Sequence, residues 1–317
     1  MNFRVKVSIL LLSLMIIMLL SLNIKGSMAT ESKPLVVVST TVLGSVVEDL
    51  ARDQVVVYVV ANPAICPAHY DIKPSDILAF REAKLILYHG FEPWIKQLVD
   101  ASGSRAPIIK ISGPWNTPTK LKELYVKVAK ALSENLGLNV ETSLDKSLKA
   151  IDRVIKKLKS ISEEHKFSNI NVIVMKWQRP FVSWLGFNVI ADYPPPERLS
   201  TKDIAELESK GRESKVCLII DNLQSGVWFG EELARRVNAV HVVLTNFPGT
   251  GQGLNNITRI MEYNVIQLVK AIENYKVLSE IEALKSQLTT YQYALGALIV
   301  IVIVETVLLI LVKVKRK

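Results

Sequence analysis

Residues 34–60 read PLVVVSTTVLGSVVEDLARDQVVVYVV, and the succession of apolar runs in them sets the architecture expected of the whole chain. Leu35 to Val38 is a short, unbroken and largely β-branched run, as a strand buried on both faces requires. Val42 to Ala51 changes period, with Val47 and Leu50 on one side of a helix, and Val55 to Val60 returns to a β-branched run. Strand, helix and strand in that order form the unit of a parallel sheet. Outward from it come a helix over Asp76 to Ala83, a strand over Leu85 to Tyr88 and a helix over Pro93 to Val99. These make one α/β lobe.

The middle of the chain differs in kind. Lysine-rich sequence from Thr119 to Leu136 and from Thr142 to Ile161 carries helical stripes, among them Leu144, Leu148, Ile151, Ile155 and Leu158. After Glu164 the alternation resumes, with strands over Asn171 to Met175, Asn188 to Ala191, Val216 to Ile220 and Val240 to Leu244. Helices over Phe181 to Leu185, Thr201 to Lys210 and Gly230 to Val237 separate them. The expected fold is therefore α/β: two parallel-sheet lobes, residues 30–140 and 166–275, joined by a long backbone helix over 141–165. A C-terminal helical stem over 276–292 and a transmembrane helix over 293–312 complete it, because no Pro or Gly interrupts the stretch before Gly296.

The ends of the chain place it. Residues 1–29 carry Arg4 and Lys6, an uncharged stretch from Val7 to Ile24, and small residues at Ser27 and Ala29, the order of a cleaved signal peptide; an uncleaved anchor is the alternative. Tyr293 to Val312 is apolar except for Glu305 and Thr306, and residues 313–317 are a basic tail that belongs on the cytosolic side. The body is thus expected on the extracytoplasmic side of the cell membrane, held by a single C-terminal anchor. Glu305 lies inside the span, where it is either a neutral or lipid-edge residue or a contact with another membrane subunit.

The net charge of +9 suggests nucleic acid until it is located. Arg4, Lys6, Lys25, Lys313, Lys315, Arg316 and Lys317 flank the two apolar ends, and setting them and Glu305 aside lowers it to +3. No nucleic-acid face is expected. Two cysteines, Cys66 and Cys217, are too few for a disulfide framework. No nucleophile elbow, phosphate-binding lysine loop or H-E-x-x-H motif occurs, so no enzyme is expected. The run Pro248-Gly249-Thr250-Gly251-Gln252-Gly253 precedes a helix, and reads as a connecting loop ahead of an anion nest.

Of four histidines, His165 lies in a charged linker, His89 at a strand end and His241 inside an apolar strand. His69 stands in the loop Asn62 to Asp76, between a strand and a helix capped by Ser75-Asp76, where an open α/β sheet binds ligands.

At this loop the sequence resembles the zinc- and manganese-type solute-binding proteins of ABC transporters. Their D-P-H-x-Y-E-x-x-P-S-D hallmark has its counterpart in C-P-A-H-Y-D-I-K-P-S-D, Cys66 to Asp76, and the likeness runs from Pro34 to Lys276. The resemblance implies a rigid two-lobed receptor delivering a divalent metal ion, zinc or manganese, to an ABC permease. The four inherited ligand positions are substituted. The first histidine falls on Ala68, with His69 beside it; the second falls near Pro114-Trp115-Asn116; the third falls on Met175 and the aspartate on Asn246. Such a set binds zinc or manganese weakly, whereas Cys66, His69 and Met175 form a softer set that suits copper(I) if the loop shifts by one residue. The alternative is a degenerate member with the metal site lost, which binds another ligand, aided by Trp115 and Trp177, or serves as an assembly protein.

Overall fold

A computed structural model describes residues 12–15 and 32–315. Of the expected leader only Leu12–Met15, which are helical, fall among the described residues; the rest of it lies outside them, as do Arg316 and Lys317.

The first lobe is built from β1 (Leu35–Val38), α1 (Thr41–Ala51), β2 (Val56–Val59), α2 (Pro74–Glu82), β3 (Leu85–Tyr88), α3 (Ile95–Ser102) and β4 (Ile108–Lys110). Its sheet is wholly parallel in the order β2-β1-β3-β4, with Val37 opposite Tyr58 on one side and Ile86 on the other. Then come α4 (Pro118–Leu136) and the long α5 (Glu141–Glu164). The second lobe has β5 (Asn171–Met175), α6 (Arg179–Leu185), β6 (Asn188–Tyr193), α7 (Thr201–Glu213), β7 (Leu218–Asn222), α8 (Trp228–Val237) and β8 (Val240–Leu244). Its sheet repeats the pattern as β6-β5-β7-β8, also parallel. The two parallel-sheet α/β lobes read from the sequence are the observed fold.

Both faces of each sheet are covered, which is why the strands read as unbroken apolar runs. In the first lobe Val37 and Ile86 face Phe80, Trp94 and Leu98, while Val36 and Val38 face Leu43, Val46 and Val47. Gly44 lets α1 lie against β2: a Cβ there would stand 2.8 Å from Val59 Cγ2. In the second lobe Ile173 and Ile219 face Tyr193, Phe229 and Leu233.

One apolar cluster crosses from lobe to lobe. It runs from Val36 and Leu43 through Leu121 and Leu132 of α4 and Ile151 and Leu158 of α5 to Val172 and Leu218. Burial of Ile151 and Leu158 contributes about 1.5–3 kcal/mol each. The connection is therefore a packed spine.

The last element, α9 (Ile257–Lys315), is one unbroken helix of 59 residues, about 88 Å long at 1.5 Å per residue. Ile257, Met261, Val265, Leu268 and Ile272 are buried in the second lobe, and from Val277 onward the described side chains are exposed. It is the one helix among the described residues that is long and apolar enough to cross a membrane.

Candidate functional site

In each sheet the strand order reverses between two neighbouring strands, β1 and β3 in the first lobe, β5 and β7 in the second. The crevice beyond the carboxyl ends of such strands is where α/β sheets take ligands. Here those ends carry Ser39, Thr40 and His89 on one side, and Trp177, Gln178, Asn222 and Gln224 on the other.

The first-lobe wall is a closed polar network. Glu92, buried, accepts from Ser39 Oγ at 2.5 Å and from the backbone N–H groups of His89, Gly90 and Phe91 at 3.0, 2.7 and 3.0 Å. His89 Nδ1 faces the Ile111 carbonyl at 3.2 Å, so that nitrogen donates and Nε2 accepts from Thr40 Oγ1 at 2.9 Å. Burial pushes the His89 imidazole below its ordinary range, against the upward pull of Glu92. The neutral ring stacks on Trp115 at 4.4 Å and on Phe91 at 5.4 Å.

From Trp115 the network passes to the second lobe. Trp115 Nε1 donates to the Asn246 carbonyl at 2.9 Å, and the indole meets Phe247 edge-on. Asn116 Nδ2 donates to the Trp177 carbonyl at 2.7 Å and approaches Asn246 Oδ1 at 3.4 Å. Asn246 Nδ2 reaches the same carbonyl at 3.4 Å, and Gln224 Nε2 donates to Pro63 O and Thr245 Oγ1, both at 2.9 Å. Side-chain amides staple the two lobes together.

Asn246, Trp115, Trp177 and Asn116 are thus brought into one cluster, and Met175 joins it through its Sδ, which accepts from Trp177 N–H at 3.2 Å. Met175 is fully buried, so its sulfur faces the protein interior. Cys66 and His69 are not part of that network: His69 is exposed on a 3-10 turn, Pro67–His69, and Cys66 is half-buried just before it. Trp94 Nε1 fixes the turn by donating to Pro67 O at 2.7 Å. Among the described residues no three His, Cys, Asp or Glu side chains group as a metal site.

The rest of the loop frame is built around Asp76. Fully buried, it accepts from Tyr58 Oη, Tyr70 Oη and Lys73 N–H at 2.8, 2.9 and 2.7 Å. This corrects the expected Ser75-Asp76 cap: Lys73 is the cap residue, Pro74 opens the helix and Asp76 reaches back from its third position. The glycine run is a connection, with Gly249 N–H donating to Leu254 O at 2.6 Å. Sequence reasoning missed Gln224 and Glu92, whose partners lie on other elements.

The family model of the periplasmic zinc-uptake complex component A, ZnuA, matches residues 36–271. The chain belongs to that family. A curated relative, uncharacterized protein RP014 of Rickettsia prowazekii (strain Madrid E), is 26% identical over 215 residues, covering 62% of this chain and 70% of that protein. The manganese-bound periplasmic metal-binding protein of Candidatus Liberibacter asiaticus superposes with a TM-score of 0.65 at 17% identity, over 76% of this chain and 100% of that one. The periplasmic zinc-binding protein TroA of Treponema pallidum gives 0.66 at 16% identity, over 76% and 99%. At these identities the likeness is one of fold. Membership in the ZnuA family makes the chain a component of an uptake system, not an enzyme.

Proposed function

We propose that the chain is the extracytoplasmic solute-binding component of an ABC-type metal importer, carried on its own C-terminal membrane helix, with a metal ion as cargo. The observation that carries this reading is the ZnuA family match, which spans both lobes and the crevice at their strand ends. The permease is its partner and the membrane its support; the continuous α9 links the second lobe to the apolar stretch without a flexible joint. Zinc and manganese are the family's class of cargo. Of this chain's candidate donors, Asn246 offers only an amide oxygen, whereas Cys66, His69 and Met175 favour a softer ion such as copper(I), once the turn at His69 swings toward the crevice.

A second reading, a family member that has given up the ion, is favoured by one observation. The amides of Asn116 and Asn246 already bond each other and the Trp177 carbonyl, and Ala68 offers no donor at all. Elemental analysis of the purified chain decides between them. A stoichiometric metal, with a melting temperature that climbs with the logarithm of its excess, supports the importer reading. His69→Ala should then abolish the rise, and His165→Ala should leave it unchanged. Absence of metal and of any shift with zinc, manganese or copper(I) supports the second.

Topology is a separate expectation. Protease added to spheroplasts should remove the body and leave a tag at the C-terminus protected. Digestion of that tag would reject the anchored arrangement.

A further inference from the structure

Beyond the lobe, α9 carries a stripe that none of the described residues covers. Val277, Ile281, Leu284, Leu288 and Tyr291 follow one another at alternating spacings of four and three, the seam of a coiled coil and not the broader face of a helix packed on a globular core. All five are exposed, Val277 at 54%, Leu284 at 63% and Tyr291 at 70%. The stripe begins just past Tyr275, a half-buried residue that still touches Cys217 of the lobe. Leu268, Ile272 and Tyr275 turn toward the lobe, and at 3.6 residues per turn the stripe falls roughly 160° away from them, on the opposite side of the helix.

We infer that this helix pairs with the same helix of a second copy of the chain, parallel and in register. Three observations point to that occupant. The lobe sits on the far side of α9, so two helices meet along the stripe with both lobes turned outward. In heptad terms Ile281 and Leu288 take position a, and Val277, Leu284 and Tyr291 position d, which puts Glu280 at g and Lys285 at e. Glu280 of one chain then lies beside Lys285 of the other, the g-to-e′ pairing that attracts only in a parallel, in-register pair; within the described chain neither side chain makes an ion pair. The same spacing continues through Leu295, Leu298 and Val302 to Glu305. Pairing sets Glu305 against its copy instead of against lipid, where a carboxyl group would lack a partner. The parallel direction draws further support from the anchored reading proposed above, since two chains held at their C-termini in one membrane run the same way.

The test uses the full chain in its own membranes, with Cys66 and Cys217 replaced by serine. Val277→Cys, Leu284→Cys and Tyr291→Cys are each introduced singly, and mild oxidation should link each to itself and give a band of twice the mass. Ala283→Cys and Ser286→Cys, off the seam, should give at least about fivefold less. Lys285→Glu in the Leu284→Cys chain should lower the yield about fivefold, and adding Glu280→Lys should restore it. Equal yields on both faces, self-linking at position 284 without any at positions 277 and 291, as an antiparallel pair would give, or adducts with other proteins in place of the doubled band would overturn the inference. A chain that alkaline carbonate washes off the membrane, yet links at all three seam positions, keeps the pair and rejects the anchor. One that stays in the membrane and fails to link rejects the pair and keeps the anchor.

Discussion

A chain carrying Ala68→His, Asn116→His and Asn246→Asp together is expected to bind zinc at least about a hundredfold more tightly than the wild-type chain. Two of the three positions already meet, with Asn116 Nδ2 at 3.4 Å from Asn246 Oδ1. That contact makes Asn116 the member of Pro114-Trp115-Asn116 placed to carry a second imidazole beside position 246. An amide oxygen is a neutral and weak donor to zinc, whereas imidazole nitrogen and carboxylate oxygen are its usual ligands, and three protein donors with one water complete a tetrahedron. The substitutions also remove the amide bonds to the Trp177 carbonyl, so the crevice loses part of its staple as it gains a charge, while Gln224 still bonds Pro63. Without zinc the triple variant should melt below the wild type, and with zinc above it. Melting curves across a zinc titration measure both, since the shift grows as the logarithm of ligand over dissociation constant. A triple variant that binds zinc no better than wild type would mean that the crevice no longer has the family's geometry.

The sequence made the lobes legible because their strands are covered on both faces and so appear as continuous apolar runs. It hid β4 for the complementary reason. Ile108–Lys110 is three residues at the sheet edge, with Ile108 exposed, so neither length nor pattern marks it. Helix starts were harder than helix interiors: Pro74 and Pro118 each open a helix and satisfy the first turn by lacking an N–H, which apolar periodicity does not register.

The site was half legible. Cys66 to Asp76 announced a special loop, and much of its frame proves to be folding chemistry: Pro67 is held by Trp94, and Asp76 by two tyrosines and a backbone N–H. Such a frame persists whether or not an ion binds, so its survival weighs less toward metal than the motif alone suggests. The interlobe staple could not be read from local pattern: only the family resemblance set Asn246 near Asn116, and nothing pointed to Gln224. Asn116 meets Asn246 across 130 positions and Gln224 meets Pro63 across 161, and no local pattern encodes a pairing over that distance.

The largest stability effect outside the interlobe network is expected at Asp221, near the carboxyl end of β7 under α8. Its side chain is fully buried and accepts from Tyr193 Oη of β6 at 2.5 Å; His241 Nε2 of β8 stands 2.8 Å from its other oxygen and, since a carboxylate only accepts, donates to it. Burial and, after it, the Asp221 carboxylate raise the Tyr193 phenol well above its ordinary range, which keeps the proton on the phenol as donor. The helix α8 closes over this group at Gly230, where a Cβ would overlap Asp221 Oδ2 and stand 2.9 Å from Tyr193 Oη. Asp221→Ala strands a buried hydroxyl and an imidazole together, at a cost of about 3–5 kcal/mol. At roughly 2–4 °C per kcal/mol for a chain of this size, the melting temperature should fall by about 10 °C. Tyr193→Phe removes one donor and leaves the carboxylate its imidazole, so it should cost only about 1 kcal/mol. Gly230→Ala should approach the larger value by a different route, pushing α8 off β7 while every hydrogen-bonding group is still present. If Asp221→Ala melts within 2 °C of the wild type, water must take the place of the carboxylate, and the second lobe is less tightly closed over its sheet than the contacts of Gly230 require.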